Sequence, residues 1–139
     1  MARAKAMAIA AQHPGQRILA ADTVVALGRR ILPKAEDEAT AKDCLSLLSG
    51  RRHTVMTAVC IIDAQGKSYE ALVRTAVKFN RLTDTQIASY LASNEWHGKA
   101  GGYAIQGLAV SFIPFISGSH SNVVGLPLFE TAKLLQRAA

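Results

Sequence analysis

Residues 54–79, TVMTAVCIIDAQGKSYEALVRTAVKF, decide the class of fold. Two runs rich in β-branched residues, Thr54 to Asp63 and Ser68 to Phe79, flank the turn Asp63-Ala64-Gln65-Gly66 and so predict an antiparallel hairpin. In the second run Val73, Thr75, Val77 and Phe79 alternate with Leu72, Arg74, Ala76 and Lys78, the pattern of a strand with one buried face. Downstream, Thr83-x-x-Gln86 is a capping box ahead of Ile87, Tyr90 and Leu91, which predicts a helix. A polar loop covers Ser93 to Gly102. Ala109 to Ile116 reads as a strand, with Pro114 arguing for an edge or a bulge. After a loop through Gly118 to Asn122, Pro127 suits a helix first turn and Leu128 to Arg137 continues it.

Upstream of the hairpin, Glu36 to Leu48 places Ala41, Cys44, Leu45 and Leu48 at helical spacing, and Ser49-Gly50 closes that helix. Arg17 to Leu27 predicts a strand, Gly28-Arg29 a turn, and Arg30 to Leu32 a short return strand ending at Pro33. The Ala-rich residues 2–12 predict a helix, stopped by His13-Pro14-Gly15. Helices and strands interspersed around a hairpin give an α/β class, a mixed twisted sheet flanked by helices, with residues 1–139 as one domain. Met1 falls inside the first helical pattern with no cap or strand ahead of it, which implies that a strand–loop unit belongs in front.

A chain of 139 residues, half of them hydrophobic, is long enough to bury a core. No apolar run approaches the ~18 residues of a membrane span, and Arg3 and Lys5 are not followed by the apolar block of a signal peptide. Cys44 and Cys60 sit in apolar company without C-x-x-C spacing, as two buried thiols of a reducing cytoplasm would. A net charge of +6 favours an anionic partner, yet the basic residues are dispersed, with no run longer than Arg29-Arg30 and Arg51-Arg52. That dispersal argues against a stable nucleic-acid stripe.

Four segments could carry chemistry. Asp22, after the apolar Ile18 to Ala21, reads either as a turn cap or as a carboxylate at a strand end, where it would hold Mg²⁺ and orient a water. The loop Gly98 to Gly107 reads either as a flexible connection or as a phosphate site, its glycines offering anchored N–H groups beside Lys99. Lys34, on a loop close after the Asp22 strand, and likewise Lys5, read on pattern alone as solvated lysines first. Ser119-His120 lacks both a G-x-S-x-G elbow and a nearby acid, which disfavours a Ser–His nucleophile, and His13, His53, His97 and His120 lack zinc-ligand spacing. Trp96 reads as a buried indole before a base-stacking one.

The order of these segments is more telling than any one of them. Ile18-Leu19-Ala20-Ala21-Asp22-Thr23-Val24-Val25, Ile31-Leu32-Pro33-Lys34, Ser49-Gly50-Arg51-x-His53-x-Val55-x-Thr57, Lys99-Ala100-Gly101-Gly102-Tyr103-Ala104-Ile105-Gln106-Gly107 and Ser121-Asn122-Val123-Val124-Gly125-Leu126-Pro127 follow one another. Together they resemble the Maf family of nucleoside triphosphate pyrophosphatases, over the whole chain. The resemblance implies the Maf and inosine triphosphate pyrophosphatase fold and cleavage between the α and β phosphates, with a divalent cation (Mg²⁺ or Mn²⁺) as cofactor. It implies Asp22 as catalytic base and metal ligand, Lys5, Lys34 and Lys99 as lysines facing the phosphates, and Thr23 and Gln106 as residues tied to base choice. Tyr-x-Ile-Gln-Gly resembles the branch acting on dTTP and UTP rather than on 7-methyl-GTP.

The chain departs from that pattern at Pro33, Ala35 and His120. It also has no leading strand, no Ser-x-Ser-Pro-Arg-Arg loop and no following acidic residue, so the expectation is a family member lacking its first strand–loop–helix. Two origins fit, a start assigned too far downstream or a deliberate shortening. The resemblance implies a cytoplasmic enzyme with a nucleoside triphosphate as its partner, no membrane, and a homodimer as a further possibility. The competing reading is a non-catalytic nucleotide-binding or interaction module, given the family's link to septum formation.

Overall fold

In the computed structural model, which describes residues 2–139, eleven elements follow one another. They are α1 (Ala2–Gln12), β1 (Ile18–Leu27), β2 (Arg30–Leu32), α2 (Glu38–Leu48), β3 (Arg52–Ile62), β4 (Ser68–Lys78), α3 (Asp84–Ala92), a 3-10 helix (Leu108–Phe112), β5 (Phe115–Ser117), α4 (His120–Val124) and α5 (Leu128–Arg137). Met1, read above as part of the first helix, lies outside the described residues. One sheet runs in the order β2-β1-β3-β4-β5. The hairpin expected over residues 54–79 is present, β3 and β4 pairing from Arg52↔Lys78 to Ile62↔Ser68. Asp63 ties its turn, Oδ1 accepting from the N–H groups of Gln65 and Lys67.

The α/β class stands, while the sheet, expected to be mixed, is antiparallel at every pairing among the described residues. Connectivity explains it. Gly28 turns β2 back along β1, and α2 then returns the chain to the end where β1 left off, so Thr54 opens opposite Ala26 and β3 runs the other way. A second difference lies at Ala109 to Ile116, expected as one strand. Buried Ala109 and Phe112 are three residues apart, the spacing of a 3-10 helix, and only Phe115–Ser117, past the bend at Pro114, joins the sheet, at its edge beside β4. α4 was expected as loop; Ser119 caps it, its hydroxyl accepting from the N–H of Asn122.

Side-chain alternation gives the sheet two faces. On one, Ile18, Cys60 and Ile62 pack with Ala2 and Ala6 of α1, one helical turn apart and almost wholly enclosed. On the other, Val25, Val55, Val77 and Phe79 meet Ala41, Cys44, Leu45 and Leu48 of α2 and Ile87, Tyr90 and Leu91 of α3 in the main core. Farther along that face Leu134 of α5 covers Val59 and Ile61. Cys44 and Cys60 are buried free thiols in separate clusters. No helix among the described residues is long and apolar enough to cross a membrane.

The sheet leaves part of β1 open, as it does part of β4. β2 pairs only with Val25 to Leu27, so among the described residues no strand flanks Ile18 to Val24 on the side away from β3.

Candidate active site

Asp22 lies in the middle of β1, opposite Ala58 of β3, and not at the strand end where the sequence placed it. Its successor Thr23 points to the opposite face by alternation, yet both line one cleft of about 230 Å³. The open edge of β1 accounts for this, because a cleft that wraps an unpaired edge reaches side chains from both faces. All six residues singled out from the sequence line it: Lys5, Asp22, Thr23, Lys34, Lys99 and Gln106. Lys5 reaches over from α1, Nζ standing 3.5 Å from Asp22 Oδ1 and 3.4 Å from the carbonyl of Ala21. Three ammonium groups and one carboxylate leave the lining with an excess of two positive charges.

Backbone bonds bring Lys34 and Lys99 together. Ala35 N–H donates to Lys99 O at 3.0 Å, Gly98 N–H to Ala35 O at 2.8 Å and Gly101 N–H to Pro33 O at 3.0 Å. The segment after β2 is thereby stapled to the glycine loop. The sequence reads the glycines of this loop as offering anchored N–H groups to a phosphate; in the structure those glycine amides are engaged within the chain. The amides of Gly98, Gly101, Gly102 and Gly107 all donate to carbonyls of the chain itself. The glycines serve packing instead. Gly101 takes φ +69°, and a Cβ there would stand 3.0 Å from the Val25 side chain. The charged groups in the lining that can attract an anion are the ammonium groups of Lys5, Lys34 and Lys99.

The opposite wall is Val123, Val124 and Gly125, at the end of α4. A polar network fastens it to the sheet. Thr23 Oγ1 lies 2.8 Å from Thr57 Oγ1 and 3.4 Å from the carbonyl of Gly125, and Thr57 Oγ1 is 3.3 Å from the carbonyl of Asn122. Asn122 is fully buried, the two N–H donors of its Nδ2 shared among Val55 O, Val73 O and Thr75 Oγ1, at 3.1, 3.1 and 2.9 Å. Thr57 and Asn122 were not assigned any role from the sequence. Thr23 and Thr57 share a face and a register, a signal that appears only once β1 is known to pair with β3.

Tyr103, which lines the cleft itself, was likewise given no role of its own from the sequence. Its hydroxyl lies 2.6 Å from Nε2 of His53, and both residues are buried beside Phe79 with rings edge to face. Burial pushes the His53 imidazole down to about 4 and the Tyr103 phenol up. His13, His97 and His120 are exposed and do not line the cleft. Ser119 Oγ faces Ser121 Oγ and the Asn122 N–H, with no imidazole partner among its hydrogen bonds. Trp96 is the buried indole expected, its Nε1 donating to Leu91 O.

The lining offers a divalent cation a single carboxylate, and no three His, Cys, Asp or Glu converge anywhere among the described residues. That suits no closed protein cage. It does suit a Mg²⁺ held by one carboxylate with water and substrate phosphates completing its shell. Asp22 is the residue that would hold it.

The chain matches the family model of the Maf-like proteins over residues 1–138. It is 62% identical over 135 residues to a dTTP/UTP pyrophosphatase of Paramagnetospirillum magneticum, covering 97% of this chain and 71% of that protein. A dTTP/UTP pyrophosphatase of Rhodospirillum rubrum is 60% identical over 135 residues, covering 97% of this chain and 64% of its own length. One of Novosphingobium aromaticivorans is 60% identical over 138 residues, covering 99% and 69%. The chain thus spans about two-thirds of the length of these relatives.

Proposed function

Because the chain belongs to the Maf-like protein family, we propose that its cleft is the site of a nucleoside triphosphate pyrophosphatase acting on dTTP- and UTP-like nucleotides. The observation that carries this reading is the convergence of Asp22, Lys5, Lys34 and Lys99 on one cleft that Gln106 also borders. Three lysines suit a triphosphate, each an ammonium point charge able to meet different phosphate oxygens. The Asp22 carboxylate takes a proton from water as the oxygen attacks phosphorus. The anhydride P–O bond between the α and β phosphates breaks, and its electrons leave with pyrophosphate, giving the nucleoside monophosphate. A divalent cation, which Asp22 would hold, would supply charge neutralisation on the phosphate oxygens.

Gln106 stands exposed at the cleft, with one acceptor and two donors to set against the N–H and carbonyl groups of uracil or thymine. The open edge of β1 also supports association of two chains, since an unpaired edge is a template for pairing; light scattering checks it, and a monodisperse monomer refutes it. The test of the function is product analysis with dTTP, UTP, CTP, ATP and GTP in the presence of Mg²⁺ or Mn²⁺. Monophosphate and pyrophosphate in equal amounts, fastest from dTTP and UTP, is the expected result. Binding of these nucleotides without turnover would favour the non-catalytic reading instead.

A further inference from the structure

The turn that carries Gln106 is held at both ends by residues outside the cleft chemistry. At its start is Tyr103, three residues before Gln106, whose hydroxyl is 2.6 Å from His53 Nε2 on β3. His53 is fixed in turn by edge-to-face packing against Phe79 and Tyr103. At its end Leu108 N–H donates to the carboxylate of Glu95, 3.3 Å from Oε1 and 3.4 Å from Oε2. Gly107 makes that approach possible, because a Cβ there would collide with the Glu95 carboxylate. Between the two anchors the turn closes on itself through Gly107 N–H and the Ala104 carbonyl.

We infer that His53, acting through Tyr103, and Glu95, acting through the Leu108 amide, are positioning residues that set base selectivity by holding Gln106 in one register. The inference rests on the reading that Gln106 meets the base. A glutamine amide with its ends exchanged satisfies cytosine as well as uracil, so the side chain alone discriminates poorly. A turn free to shift lets the amide re-seat on either base; a turn fixed at both ends favours one seating.

The experiment is binding titration of UTP and of CTP, in EDTA so that no turnover intervenes, with the 139-residue chain and its variants. The readout is the ratio of the two dissociation constants, with thermal melting alongside. Tyr103→Phe keeps the ring packing and removes only the hydroxyl, so it is expected to reduce the preference for UTP about three- to tenfold, the scale of one hydrogen bond. Glu95→Ala is expected to do the same, and Glu95→Gln, which keeps an acceptor for the Leu108 amide, to restore most of the preference. In a Gln106→Ala background Tyr103→Phe is expected to change the ratio no further. A Tyr103→Phe or Glu95→Ala chain that melts earlier but keeps the parent ratio overturns the inference and leaves the Gln106 reading standing. Gln106→Ala with an unchanged ratio, or a parent that binds both nucleotides equally, overturns the two together.

Discussion

Lowering the pH from 7 to 4.5 asks a buried imidazole to take up a proton in a place with no room for its charge. His53 is 1% exposed, its Nε2 faces the Tyr103 hydroxyl, its Nδ1 has no partner, and Phe79 covers a ring edge. Burial pushes its pKa from 6.5 down to about 4, so between those values the unfolded chain binds a proton that the folded chain does not. Stability from this group is therefore complete above the unfolded value and is lost as the pH falls through the window to about 4. A tenfold difference in proton affinity between the two states corresponds to ~1.4 kcal/mol, which gives roughly 2.5 kcal/mol lost by pH 4.5. Asp37 and Asp63, whose carboxyls are held below 3.8 chiefly by backbone N–H donors, titrate under this window and do not confuse it. The assay is urea unfolding by circular dichroism at pH 7 and 4.5, for the parent and for His53→Gln, which cannot titrate. The parent should lose ~2 kcal/mol or more relative to the variant across that range. Parallel losses in the two proteins would refute the account of His53 as a neutral, enclosed core residue.

Lys34→Ala and Lys99→Ala should each weaken triphosphate binding by roughly 1–3 kcal/mol, the scale of a charge-assisted hydrogen bond; titration with UTP checks this, and parent-like binding of both at low salt would make them solvated lysines. Asn122→Ala should lower stability by about 3 kcal/mol, since Val55 O, Val73 O and Thr75 Oγ1 lose a shared buried donor. Chemical denaturation measures it, and a loss under ~1 kcal/mol would show that the sheet carbonyls are satisfied without that amide.

The hairpin, the helix caps and the short β2 return were legible because local chemistry decides them: β-branched runs around Asp63 to Gly66, a Thr83–Gln86 capping box, and Gly28 at a left-handed turn. α4 escaped because its five residues carry no apolar periodicity, and only the Ser119 cap marked it. The all-antiparallel pairing escaped because periodicity says nothing of strand neighbours. The same gap explains the site. Sequence named six residues that line the cleft, but it set Asp22 at a strand end, whereas the β1–β3 register puts it at mid-strand on an open edge. It read the glycines as offering anchored N–H groups to a phosphate, and only the fold shows those amides bonded to Pro33, Ala35, Lys99 and Ala104. Tyr103, Thr57 and Asn122 act through partners more than thirty residues away in sequence, a distance no local pattern spans.

The central claim is that Asp22 activates water for cleavage between the α and β phosphates in this cleft. Phosphorus NMR of UTP incubated in ¹⁸O-labelled water, with parent chain or Asp22→Asn, tests it most directly. The substitution keeps the shape of the side chain and removes the charge that proton transfer requires. The parent is expected to give UMP and pyrophosphate with one ¹⁸O taken up per cleavage, and Asp22→Asn to give neither product while retaining its fold. UDP and orthophosphate from the parent, or UMP release by Asp22→Asn within a few-fold of the parent, would contradict the account.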